Sequence, residues 1–203
     1  MSPERARDIA ARVIVGALFA LMSVNLVQEF LRTGHLTGLL FLASESLVVV
    51  LTVIRRPPRL IHRSVTAAVI TAISLTGSPL LRATDVAPLL PDGVTATITA
   101  LALLLVILGK LSLGRSFGIV PANRGIVARG PYNVVRHPIY LGYIVAHVAF
   151  LGAHPSPMNI AVVLVADTAL VLRALIEEKV LGSDSEYQAY CRRVAWHLVP
   201  GVF

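Results

Sequence analysis

Six apolar runs divide the chain, at residues 9–31, 36–54, 64–81, 94–113, 139–153 and 159–176. None alternates apolar with polar residues, and each is too long for a strand, so all six predict helices. A bilayer-spanning helix needs about 20 residues, with a range near 17–25. The first four runs meet that length. The fifth is short, and HPSPMN at 154–159 turns the chain straight back. Runs five and six therefore predict a helical hairpin, tilted or not fully crossing. The first run follows Arg5, Arg7 and Arg12 in the manner of a signal peptide. It is longer than a signal core, and Asn25, Gln28 and Glu29 do not make a small-residue cleavage site, so it predicts a retained helix. The expected fold is all-α: a polytopic membrane bundle of five to six helices, with a C-terminal hairpin and a cytoplasmic tail. No repeat or linker divides it. We expect one membrane-embedded domain over 1–203, with N-terminal helices in 1–93 and the chemistry-bearing part in 94–203.

Composition agrees. The chain is 56% hydrophobic and 14% charged, where a soluble domain carries about 25% charged residues. Its net charge of +7 comes from 16 Arg and only 2 Lys. Of these 18, 16 fall in the N-terminus, the loop RRPPRLIHR, the stretch 110–136 and the region from Arg173 onward, leaving Arg32 and Arg82 for the opposite loops. Basic loops stay inside. Both termini are then expected in the cytoplasm of a plasma membrane, and the Arg- and Ala-rich usage points to a bacterium. Topology thus explains the charge without a nucleic-acid partner. The lone Cys191 excludes an internal disulfide.

The polar residues that remain gather at the inner ends of the apolar runs. GPYNVVRHPIYLGY spans 130–143, and Pro138 suits the first turn of a helix, where a missing N–H costs nothing. Arg136 and Tyr140, four apart, share one face if the helix extends that far, and His137 and Tyr140, three apart, can also neighbour each other. Glu177 and Glu178 close the sixth run, with Arg173 one turn before Glu177. The tail adds Tyr187, Tyr190, Arg192, Arg193 and Trp196. Ionisable groups at membrane depth are costly and mark function by default. The plainer readings are an interfacial anchor for Arg136, a surface ion pair for Glu177, and an interfacial helix for the tail. For the RHPIYLGY string as a whole the functional reading carries more weight. Asp167 and the Asn25 group fit packing bonds between helices, and Glu45 stays open. His62, His147 and His197 read as interfacial or packed. No P-loop, HExxH, GxSxG or GxGxxG occurs, and the histidines lack metal-ligand spacing.

These residues resemble a known family. GRSFG at 114–118, the 130–143 string, Glu177-Glu178 with Tyr187 and Tyr190, and Arg193-Val194 running to Pro200 are similar to the isoprenylcysteine carboxyl methyltransferases, a family akin to the membrane phospholipid N-methyltransferases. The resemblance covers the chain from Leu113 onward. It implies an S-adenosylmethionine-dependent methyltransferase with a cytoplasmic cofactor pocket and a lipid-like or apolar acceptor entering from the bilayer. By position it implies that residues 130–136, with Tyr132 and Arg136, together with His137, Tyr140, Gly142 and Tyr187, line the cofactor. Glu178, with Glu177 beside it, would hold the cofactor's ammonium group, and Arg193 would face the acceptor. Ala195 stands where the prenylcysteine enzymes have proline, which leaves the acceptor open among carboxylate, thiol and amine. An NADPH-dependent membrane reductase and a non-catalytic lipid-binding protein are the alternatives.

Overall fold

The structure is a computed structural model. It describes residues 36–202 apart from 57–59, 62–63 and 120, together with Val24, Val27 and Leu31, which are helical. Arg5, Arg7, Arg12, Asn25, Gln28, Glu29 and His62 lie outside the described residues, as does the side chain of Glu45. Six helices follow in order: α1 (Leu36–Ile54), α2 (Val65–Leu80), α3 (Asp92–Leu113), α4 (Pro138–Ala153), α5 (Pro157–Leu181) and α6 (Ser185–Arg193). The only strands among the described residues are β1 (Leu60–Ile61) and β2 (Ala122–Asn123), an antiparallel ribbon that ties the α1–α2 loop to the segment after α3.

Local chemistry sets the helix ends. Ser64 Oγ accepts from Ala67 N at the start of α2, and Ser156 Oγ accepts from Asn159 N at the start of α5, each satisfying a first-turn donor. Pro138 and Pro157 occupy first-turn positions. Gly114, at φ 49°, stops α3 in a conformation that favours glycine. The 25 residues of α5 carry the helix past the apolar run, so Glu177 and Glu178 sit inside its last turns. At 16 residues, α4 is about 24 Å long, short of a hydrocarbon core of about 30 Å.

α4 and α5 are joined by a tight turn, but each packs mainly elsewhere: α4 on α3, and α5 on α2. Small residues permit both contacts. A Cβ on Gly142 would lie 2.5 Å from Val106 Cγ2 and 2.8 Å from Ala102 O, and one on Gly77 would lie 2.8 Å from Ala166 Cβ. Such close approach is how helices pack where lipid surrounds them. Asp167 takes the packing role expected for it: His147 Nδ1 lies 2.6 Å from Asp167 Oδ1 and pins α4 to α5.

Two helical segments among the described residues, Asp92–Ser116 and Pro157–Leu181, are long and apolar enough to cross a membrane; Val65–Leu75 and Pro138–Ala153 are shorter apolar stretches. Leu101, Leu104, Leu108 and Leu111 form an exposed apolar stripe along α3, and Ile160, Leu164, Leu172 and Leu175 form another on α5. Stripes of this size need covering by something other than water.

Candidate functional site

One end of the bundle collects the C-termini of α3 and α5, the N-terminus of α4, and α6 with the segment after it. Three polar clamps hold these parts together. The first is Arg136. Its Nε donates to Val194 O at 2.8 Å and its Nη2 to Cys191 O at 3.2 Å, capping the end of α6, while Nη1 reaches Glu178 Oε2 at 3.2 Å. The second is backbone pairing: Arg136 N donates to Trp196 O and His137 N to His197 O, both at 2.9 Å. The tail thereby satisfies N–H groups that precede α4. The third is Tyr190, whose buried hydroxyl donates to Tyr132 O at 2.8 Å.

Glu178 faces these clamps. Besides Arg136, its carboxylate meets His137 Nε2 at 3.1 Å and His197 Nδ1 at 2.6 Å. Glu177 faces the other way. It accepts from Tyr140 Oη and from Arg173 Nε at 3.3 Å. Arg173 also donates to Ser74 Oγ and Ile119 O, and its guanidinium lies 5.2 Å from the Tyr140 ring centre. The His137 and Tyr140 rings are near parallel with centres 5.5 Å apart. His137 Nδ1 stands 3.9 Å from Glu177 Oε2, so one imidazole lies between the two carboxylates.

Beside this network lies a cavity of about 180 Å³. All five tyrosines of the chain line it, with Arg124, Arg136, Arg173, His137 and Glu177. Val48, Leu75, Leu113 and Ile139 line it as well. Gly118 leaves room for Arg124: a Cβ there would fall 2.2 Å from Arg124 Nη1, and the guanidinium would have to move. Burial pushes the Tyr132 phenol well above its usual value, with the Glu177 charge adding to the effect. Burial, then the charge of Glu178, raises that of Tyr187. Burial raises that of Tyr190 despite the opposing Arg136 charge. The Tyr187 hydroxyl is buried with no hydrogen-bond partner among the described residues.

The structure brings Arg136, His137, Tyr140, Glu177, Tyr132 and Tyr187 together around the cavity and places three other candidates off its wall. Glu178 does not line the cavity, because its carboxylate is turned toward Arg136 and the tail. Gly142 is packed on α3. Arg193 is exposed and off the cavity wall. His197, read as interfacial or packed, bonds directly to Glu178. The tail helix α6 ends at Arg193, and the chain then docks by its backbone. Lys110, counted among the loop charges, is instead buried in α3 at 1% exposure and lines the cavity with Tyr143. Tyr143 closes the 130–143 string, whereas Lys110 showed in the sequence only as a cation within an apolar run.

Residues 94–183 match the family model described as the isoprenylcysteine carboxyl methyltransferase (ICMT) family. This stretch is ICMT-like. No curated protein and no solved structure matches the chain. The ICMT-like stretch holds α3, α4 and α5 and hence Arg136, His137, Tyr140, Glu177 and Glu178; Tyr187 and Arg193 fall beyond it. It reaches further toward the N-terminus than the motifs did, taking in nearly all of α3. The family is one of methyltransferases, and with the apolar helices it indicates an integral membrane protein.

Proposed function

We propose that the protein transfers a methyl group from S-adenosylmethionine to a lipid-like or otherwise apolar acceptor at the cytoplasmic face of the membrane. The observation that carries this reading is a single cavity, walled largely by the ICMT-like stretch, in which Glu177, three arginines and five phenols stand beside an apolar wall. The donor set suits the cofactor. A carboxylate suits its ammonium group, and an arginine fork suits its carboxylate by bidentate pairing. The buried Tyr187 hydroxyl supplies a further polar contact. When bound, the cofactor's sulfonium offers a methyl group with a neutral thioether as leaving group.

The protein's share is alignment and exclusion of water. Glu177 takes the ammonium, and Arg124 and Arg136 take the carboxylate. Tyr132, Tyr140, Tyr187 and His137 offer aromatic faces. Glu178 acts as a positioning residue, since it fixes Arg136 and His137. Alignment of this kind supplies about 7–11 kcal/mol of a barrier. Acceptor alignment falls to residues on the cavity wall, because Arg193 would have to leave its exposed place to reach them.

Calorimetry on the purified protein tests this. S-adenosylmethionine and its demethylated product should bind, and NADPH should not. Glu177→Gln removes one charge-assisted contact of about 1.5–3 kcal/mol and should weaken binding roughly ten- to hundredfold. NADPH binding without binding of either sulfur ligand would instead favour a reductase.

A further inference from the structure

Two exposed arginines outside the cavity are held in matching ways. Arg115 Nε donates to Ile54 O at 3.2 Å, at the end of α1. Arg129 Nε donates to Ser112 O at 3.0 Å, near the end of α3. Each bond fixes a guanidinium against a helix C-terminus, where a cation is favoured. It occupies only Nε, and the two terminal nitrogens of each fork have no hydrogen-bond partner or ion pair among the described residues. Arg56 N donates to Arg115 O at 2.8 Å, which brings the backbone of a third exposed arginine beside them. Next to these cations the surface is apolar. Leu104, Leu108 and Leu111 are exposed along α3, and the spacing 104, 108, 111, 115 keeps Arg115 on their face. Val50 and Ile54 are exposed one turn apart on α1, which packs on α3. The Arg115 guanidinium therefore stands at the end of both apolar faces.

We infer that Arg115 and Arg129 form a binding site for the phosphate of an anionic phospholipid, whose acyl chains lie along the apolar faces of α1 and α3. A planar guanidinium fork suits a phosphate by paired N–H bonds. With Nε already bonded, each fork is oriented before the lipid arrives, so less freedom is lost on binding. The apolar faces decide the source: a free phosphate would engage the forks and leave those faces uncovered, whereas a phospholipid covers both. Charge decides the headgroup. Arg56, Arg115 and Arg129 form no ion pair among the described residues, so a zwitterionic head would add a cation to a cationic site. Neither fork lines the cavity, and the site stands apart from the methyl-transfer reading. A plainer role is helix capping, since each Nε satisfies a terminal carbonyl. Capping needs only the Nε and would not tell lipid headgroups apart.

The test uses the full chain in a neutral detergent and native mass spectrometry, with equimolar phosphatidylglycerol and phosphatidylcholine of the same acyl chains. The native protein should retain phosphatidylglycerol over phosphatidylcholine by roughly tenfold or more, since each basic residue near the headgroup adds to the attraction. Arg115→Gln combined with Arg129→Gln is the decisive variant. A glutamine Nε2 stands where the arginine Nε stood and still donates, so the caps persist while the forks are lost. The preference should then fall to about twofold or less. Arg192→Gln combined with Arg193→Gln removes the same charge from the exposed tail and should keep the native preference. If the Arg115 and Arg129 double variant does not fold, Arg129→Gln alone carries the test and should lower the preference by about threefold or more. Absence of a preference in the native protein, or a preference that survives loss of the forks, overturns the inference. So does an equal loss in the tail variant, which marks diffuse attraction to basic surface rather than a site. Displacement of phosphatidylglycerol by inorganic phosphate at equal concentration overturns it as well, because the acyl chains would then contribute nothing.

Discussion

Glu177 and Glu178 are adjacent, and successive residues of an α-helix point about 100° apart. One carboxylate therefore reaches the cavity and the other reaches Arg136, His137 and His197. The pair was legible in the sequence as an anomaly at the end of an apolar run, but its division of labour was not, because that depends on where α4 and the tail lie. The phenols show the same limit. Their positions are plain in the sequence, while their burial follows from tertiary packing. Tyr132, Tyr187 and Tyr190 all have pKa values raised above the ordinary 10.0. Above pH 10 the unfolded chain releases these protons and the folded protein retains them. Their contribution to stability is thus fully present below pH 10 and is lost as pH rises toward the folded values. In an alkaline titration followed at the tyrosinate band, we expect these three phenols to ionise only together with unfolding. Full ionisation of all five tyrosines near pH 10 in folded protein would contradict their burial.

At the scale of elements, the apolar runs located α1 to α4 to within about two residues, and α5 continued five residues beyond its run to Leu181. Hydrophobic pattern records where lipid or core begins, whereas a helix continues while its backbone donors find carbonyls. Docking of the tail escaped prediction for a related reason: it depends on backbone bonds from residues 136 and 137 to 196 and 197, which no side-chain pattern encodes. Arg136 is the side chain that secures it. Arg136→Lys keeps the charge and loses the planar fork, so the contacts to Cys191 O, Val194 O and Glu178 cannot all persist. Cys191, the chain's one cysteine and half-buried on α6, reports the result. Loss of one charge-assisted bond of about 1.5–3 kcal/mol should speed its maleimide labelling roughly ten- to hundredfold. An unchanged rate in folded protein would show that the tail is held by other means.

For the whole molecule, the charge asymmetry and the site agree: among the described residues, Arg56, Arg115, Arg124, Arg129 and Arg136 share one end of the bundle with the clamps. Lys110 is the exception, because sequence counts cannot tell a cation in a loop from one buried in α3. The positive-inside bias predicts that cysteines placed at 57–63 and 120–130, in a Cys191→Ser background, react only with reagents that enter the cytoplasm. Cysteines at 82–90 should react from outside. Labelling of the 120–130 stretch in intact cells would place the cavity on the opposite face and remove its access to a cytoplasmic cofactor.

The bond between His147 and Asp167 has a consequence for which changes the chain can absorb. It fixes the rotation of α5 ten residues before Glu177. One residue inserted between Asp167 and Glu177 would turn the last part of the helix by about 100° relative to that anchor. Glu177 would then point where Glu178 should, and Glu178 where Lys179 should, although every side chain named above would still be present. Between these two points the apolar residues can be exchanged for others of similar volume, but their number cannot change.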